Sequence, residues 1–145
     1  MKDRYVVTYL EMAETFAQLS HASRLKVGAI IVKEDRIISL GYNGTPSGWD
    51  NTCEDVIEHY EDGGMITRTK PEVMHAEENA ICKLAKSTES GEGAVMFCTH
   101  APCIACAKLI YGAGISKVFY RNIYRCTDGI EFLEKCGVTT HRIPK

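Results

Sequence analysis

Residues 94–120, AVMFCTHAPCIACAKLIYGAGISKVFY, decide how the rest of the chain is read. Ala94 to Cys98 is a short apolar run of the kind a buried strand needs. Cys103 to Ala113 is apolar on nearly every side, which predicts a buried helix. Val118 to Tyr120 then forms the centre of a second strand. Strand, helix and strand in that order imply a crossover joining parallel strands.

Val27–Lys33 (VGAIIVK) and Arg36–Gly41 (RIISLG) flank a Glu34-Asp35 turn and predict a hairpin of mostly buried strands. Residues 4–19 repeat apolar groups at Val6, Tyr9, Leu10, Ala13, Phe16 and Ala17, a helical spacing with Asp3 as N-cap. His75–Lys86 carries a second helical seam at Ala76, Ala80, Ile81, Leu84 and Ala85. Asp128–Cys136 predicts a further helix, and Val138–Ile143 a last strand. Residues 41–52 are dense in turn formers. Cys53 to Val73 is polar and weakly periodic, with a short helix expected near 53–61 and ended by Gly63-Gly64. The order α-β-β-α-β-α-β-α-β predicts an α/β fold. Its form is a three-layer α/β/α sandwich around a five-stranded sheet, mixed because the hairpin must be antiparallel.

The 145 residues suit one domain, 1–145, and show no repeat, low-complexity tract or linker. Seventeen basic against nineteen acidic residues leave a net charge of −2. That lacks the broad basic field of a protein that coats nucleic acid, though two or three placed cations still suffice for one small anion. No apolar run approaches a membrane span, and MKDRYVVTYLEMAE has acids too early for a secretory signal. A cytoplasmic location follows as the expectation. There, the seven cysteines are expected to be buried thiols and metal ligands rather than disulfides.

The chemistry concentrates in His75-Ala76-Glu77 and Pro102-Cys103-Ile104-Ala105-Cys106. Each motif opens a predicted helix, where unpaired N–H groups and partial positive charge favour a thiolate. Pro102 suits a first turn that needs no N–H from it. Cys103 and Cys106, three apart, share a face. One imidazole and two thiolates suit zinc, and three protein ligands leave a position for water, as a catalytic site requires. Glu77 is the residue type that passes protons to and from such a water. Two residues apart in mid-helix, His75 and Glu77 would point in opposed directions. They converge only if the site lies above the helix end.

With these motifs, the sequence resembles the zinc-dependent cytidine/deoxycytidylate deaminase superfamily, whose signature is H-x-E followed by P-C-x-x-C. RLKVGAIIV (24–32), GYNGTPSG (41–48), HAEENAI (75–81), the Thr99–Ile115 segment and VFYRNIY (118–124) are similar to the deoxycytidylate (dCMP) deaminase branch. The resemblance implies a cytidine deaminase-like fold and a hydrolase that converts dCMP to dUMP and ammonia, supplying dUMP for thymidylate synthesis. It implies zinc on His75, Cys103 and Cys106, with Glu77 carrying a proton to ring N3 and then to the leaving amine. It places the backbone from Thr99 to Ala101 against the exocyclic amine and Asn43 near the sugar or phosphate. Arg24 and Arg121, with Tyr120 beside them, become the candidates for the 5′-phosphate. It further implies a homo-oligomer, a hexamer, activated by dCTP and inhibited by dTTP with Mg2+. The loop carrying Gly41, Gly44 and Asp50 would be the effector contact. A second, structural zinc is not expected, because Cys53, His59 and His21 are scattered rather than spaced as a motif.

Two other readings stay open on the residues alone. One keeps the chemistry and changes the substrate to a free nucleoside, guanine or tRNA adenosine; the other is a zinc-stabilised nucleotide-binding module without catalysis. Near-neutral charge disfavours a tRNA substrate, and Glu77 disfavours a purely structural metal site.

Overall fold

The computed structural model describes residues 1–145. The elements are α1 (Asp3–Ala17), β1 (Gly28–Lys33), β2 (Arg36–Tyr42), β3 (Glu54–His59), β4 (Met65–Thr69) and α2 (Ala76–Ala85). They continue with β5 (Val95–His100), α3 (Ile104–Gly112), β6 (Lys117–Asn122), α4 (Asp128–Lys135) and β7 (Thr139–Arg142). Five strands form one mixed sheet in the order β2-β1-β5-β6-β7. β1 is antiparallel to both β2 and β5, whereas β5, β6 and β7 run parallel. The three-layer α/β arrangement expected from residues 94–120 is therefore the one observed.

Side-chain alternation explains the layers. Ala29, Ile31, Met96, Cys98, Val118 and Tyr120 pack with residues of α2, α3 and α4 in one cluster. Their strand neighbours Ile30, Val32, Phe97 and Phe119 pack with Val6, Leu10 and Ala13 of α1 in another. Phe97 sits between Tyr9 and Phe119, with ring centroids 5.0 and 5.3 Å away. A sheet covered on both faces needs the continuous apolar strands that β1 and β5 supply.

Two expectations fail. Residues 53–61 do not form a helix: β3 and β4 pair as a separate antiparallel ribbon. Gly63, at φ +93°, is the turn of that ribbon rather than a helix stop. The Tyr60 N–H donates to the Gly64 carbonyl at 2.7 Å, and the Asp62 carboxylate accepts the Gly64 N–H at 2.8 Å. β-Branched Val56, Ile57, Thr67 and Thr69 suit this extended form. Asp3 does not cap α1 either. Lys2 is the cap, because its carbonyl already accepts the N–H groups of Tyr5 and Val6.

Two glycines let helices approach closely enough to bring the His75 and Cys103 segments together. A Cβ on Gly41 of β2 would collide with the Ala76 carbonyl oxygen and lie 2.6 Å from the Ala80 nitrogen. A Cβ on Gly129 of α4 would collide with the Pro102 carbonyl oxygen and lie 2.9 Å from the Cys103 carbonyl carbon. Backbone meets backbone at both places, so neither neighbour can swing aside. Gly41→Ala and Gly129→Ala are each expected to cost about 1–3 kcal/mol. Gly44→Ala, whose Cβ would meet nothing within 4 Å, should cost far less. Thermal unfolding of the three variants checks this, and equal midpoints would contradict it.

Candidate active site

α2 and α3 begin beside one another, and both metal motifs lie at those beginnings. His75 is the residue before α2 and Cys103 the residue before α3. His75 Nδ1 lies 3.5 Å from Cys103 Sγ and 3.3 Å from Cys106 Sγ. One ligating atom from each of the three lies within 4.8 Å of the others. A tetrahedral zinc with Zn–S near 2.3 Å and Zn–N near 2.0 Å sets sulfur and nitrogen roughly 3.5 Å apart. Spacing and donor chemistry therefore fit zinc with three protein ligands.

The same geometry governs ionisation. Cys103 is held down to about 3, chiefly by its hydrogen bond with Cys106 and next by that with His75. Cys106 is pushed up, because the Cys103 thiolate takes its proton as a hydrogen bond and burial adds to the effect. A bound cation would replace that shared proton and favour both thiolates. The Cys103 thiolate in turn raises the pKa of His75.

Glu77 meets the geometric condition set by the sequence. It is only 4% exposed. In the first turn of α2 it lines the cleft together with His75 and Cys103. Burial raises its pKa, opposed by the Cys106 thiol beside it. A carboxyl raised in this way is better matched to taking and returning a proton near neutral pH. Its neighbour Glu78, missed in the sequence, accepts the His75 N–H at 3.1 Å and fixes the start of the helix. The signal was available, as an acid three residues after the helix boundary.

The cleft has a volume of about 530 Å³. Of the candidates for substrate contact, Arg24, Asn43 and Ala101 line it. Arg24 is anchored by the Glu54 carboxylate, which accepts the Ser23 and Arg24 N–H groups at 3.0 and 3.2 Å. Asn43 spends most of its amide on the chain beside Arg24. Its Oδ1 accepts the Val27 N–H and its Nδ2 donates to the Leu25 carbonyl, both at 2.8 Å.

Other candidates lie elsewhere. Thr99 is buried behind the cleft, where its hydroxyl accepts the Gly28 N–H. Tyr120 packs in the core between sheet and helices. Arg121 is 4% exposed, donates to Glu14 of α1 at 2.9 Å and to the Ile143 carbonyl at 3.1 Å, and does not line the cleft. Strand alternation is the reason, since Arg121 falls within β6 on the α1 face. Gly41 is packed on α2, while Gly44 pairs with Met74 and Asp50 is exposed; none of the three lines the cleft.

Sequence reasoning missed Arg68, His100, Tyr124 and Arg125, all of which line the cleft. Arg24 Nη2 donates to the Tyr124 hydroxyl at 3.4 Å, and the Arg125 guanidinium stacks 5.2 Å from the Tyr124 ring. Arg125 lowers the pKa of that phenol. Tyr124 and Arg125 follow the carboxyl end of β6, where open parallel sheets place their ligand contacts, so that rule would have selected Arg125 over Arg121.

Residues 4–122 match the model of the cytidine and deoxycytidylate deaminase zinc-binding region. The chain belongs to this family. Deoxycytidylate deaminase of Enterobacteria phage T4 is 33% identical over 172 aligned positions, covering 95% of this chain and 89% of that protein. Deoxycytidylate deaminase of Saccharomyces cerevisiae is 31% identical over 135 positions; the match takes in 92% of this chain but only 43% of that longer protein. The crystal structure of dCMP deaminase from the cyanophage S-TIM5 in complex with dCMP and dUMP superposes with a TM-score of 0.87. Its sequence identity is 48%, and 99% of each chain is covered. Within the family fold, no helix here is long and apolar enough to cross a membrane.

Removing Cys103 should remove the metal and also stability, because one ion ties two helix starts together. Cys103→Ala is expected to bind no zinc and to unfold at a lower temperature that added zinc does not raise. Glu77→Gln should keep one zinc per chain and a near-wild-type midpoint. Metal analysis alongside calorimetry checks both, and zinc retained by Cys103→Ala would contradict the ligand assignment.

Proposed function

We propose that the chain catalyses zinc-dependent hydrolysis of dCMP to dUMP and ammonia, with supply of dUMP for thymidylate synthesis as its role. One observation carries the reading: buried Glu77 shares a cleft with Arg24, Arg68 and Arg125, and His75 and Cys103 bring the edge of the His75, Cys103 and Cys106 cluster into it. Proton-handling chemistry and an anion-binding wall together suit a pyrimidine that carries a phosphate. Similarity to the S-TIM5 dCMP deaminase complex supports the same substrate.

His75, Cys103 and Cys106 would hold zinc, which when bound would supply the Lewis acidity that lowers the pKa of a water toward 7. The remaining work falls to side chains and backbone. Glu77 takes the proton of the water whose oxygen adds to C4 and gives it to ring N3. It then relays the second proton to the exocyclic nitrogen as the C4–N bond breaks and ammonia leaves. Ala101 borders the space for that amine, and its own N–H is already committed to the Asn122 carbonyl at 2.7 Å. The carbonyl side of this segment is what remains to accept from an amine. Asn43 holds the chain from Leu25 to Val27 in place, and Arg24 projects from that fixed segment toward Tyr124. Arg24 and Arg125 pair with the 5′-phosphate through charge-assisted hydrogen bonds.

Effector control by dCTP and by dTTP with Mg2+, and assembly into a hexamer, are parts of this proposal that rest on the family resemblance. Comparing dCMP turnover with and without each triphosphate, alongside mass measurement in solution, tests them.

The decisive assay sets dCMP against deoxycytidine, CMP and a tRNA anticodon stem. We expect kcat/KM for dCMP to exceed that for deoxycytidine by about 100-fold or more, since each charge-assisted contact contributes on the order of 1.5–3 kcal/mol. Arg24→Ala and Arg125→Ala should each lower kcat/KM on dCMP by about 10-fold or more while sparing deoxycytidine. A preferred substrate other than dCMP would overturn the proposal.

A further inference from the structure

His100 is the last residue of β5, and it lines the cleft. Its Nδ1 lies 2.8 Å from the Thr99 hydroxyl. That hydroxyl is buried and already accepts the Gly28 N–H at 3.1 Å. A hydroxyl has a single proton to give. Its hydrogen-bond partners offer one acceptor for that proton, His100 Nδ1. Thr99 therefore donates to Nδ1, and the proton of the neutral ring sits on Nε2. With the ring in the other tautomer, two N–H donors would meet one oxygen and the hydroxyl proton would be stranded in the core, an arrangement folded proteins avoid. Burial also holds the ring neutral by lowering its pKa, opposed by the charge of Glu14. Nε2–H has no partner within the chain, and no fully buried side-chain nitrogen or oxygen lacks one, so Nε2 is left to the cleft.

The surroundings indicate what it meets. On one side of His100, Thr99 is bonded to Gly28, just after the segment that carries Arg24. On the other, the Asn122 amide donates to the Thr99 carbonyl at 3.0 Å, and the Asn122 carbonyl accepts the Ala101 N–H. Tyr124 and Arg125 follow directly. Arg24 reaches across to the Tyr124 hydroxyl. His100 thus lies between the two cation-bearing segments, where an anionic oxygen would be drawn. A fixed N–H donor adds direction to what two flexible guanidinium groups supply as charge.

We infer that His100 is a specificity-determining residue that donates its Nε2–H to an oxygen of the substrate's 5′-phosphate. Thr99 is the positioning residue that fixes its tautomer. This rests on the dCMP reading above. The contact discriminates nucleotide from nucleoside and leaves the chemistry at C4 unchanged.

Two measurements test it. Nitrogen-15 NMR of the zinc-loaded wild-type protein should show His100 with Nδ1 bare and Nε2 protonated. dUMP should shift the Nε2 signal, while deoxyuridine should leave it in place. In kinetics, His100→Leu should lower kcat/KM on dCMP by about 10- to 100-fold and lower it on deoxycytidine by a clearly smaller factor. His100→Gln, which carries an amide N–H near the Nε2 position, should recover most of the loss. An Nδ1–H tautomer, equal losses on both substrates, or an Nε2 signal insensitive to dUMP would each overturn the inference. A wild-type protein inert toward dCMP would instead sink the functional reading, and the dUMP titration would still decide the phosphate contact.

Discussion

Two helices must begin at the same point in space. His75 and Cys103 precede α2 and α3, and the three ligating atoms meet only because those starts converge. Convergence carries a cost, since each helix start bears partial positive charge and unpaired N–H groups. The negative charge held on Cys103 offsets it, and so does the Glu78 carboxylate that caps His75. Close packing supplies the rest. Gly41 lets β2 lie against the first turn of α2, and Gly129 lets α4 lie against the turn that leads into α3.

Once the ligands meet, the other features take their places. Glu77 is carried into the site by the first turn of α2, in an enclosure that raises its pKa. The cationic wall belongs to different parts of the chain: Arg24 before β1, Arg68 on β4 and Arg125 after β6. Glu54 at the start of β3 links two of these parts through its bonds to Ser23 and Arg24. The β3–β4 ribbon is thus a wall of the cleft rather than a surface ornament. Arg121, by contrast, fastens the C-terminal segment and α1 to the sheet through Ile143 and Glu14.

What the sequence revealed and what it concealed follow from the range of the interactions involved. β1, β5 and the flanking helices were legible because periodicity is local and both faces of the sheet are covered. The convergence of His75, Cys103 and Cys106, with Glu77 beside them, was legible because their spacing encodes chemistry. The β3–β4 ribbon was hidden because it is polar and largely exposed, so its strands lack the alternation that marks a half-buried strand. Arg121 lies away from the cleft for a related reason. Its charge suggested a ligand, whereas its position inside β6 faced it toward α1, and its partners Glu14 and the Ile143 carbonyl, both distant in sequence, explain its burial. His100, the last residue of β5, and Arg125, just after β6, had no local signal beyond their position at the ends of strands. Their roles depend on which loops the sheet order makes neighbours.

The proposed chemistry depends on one ion held by three side chains with a coordination position to spare. X-ray absorption at the zinc edge, on protein purified without added metal, tests that most directly. It should give one zinc per chain with two sulfur ligands near 2.3 Å, one nitrogen near 2.0 Å and one further light atom that exchanges with solvent. A metal-free protein with Cys103 and Cys106 joined to each other, or a zinc closed by four protein ligands, would contradict it.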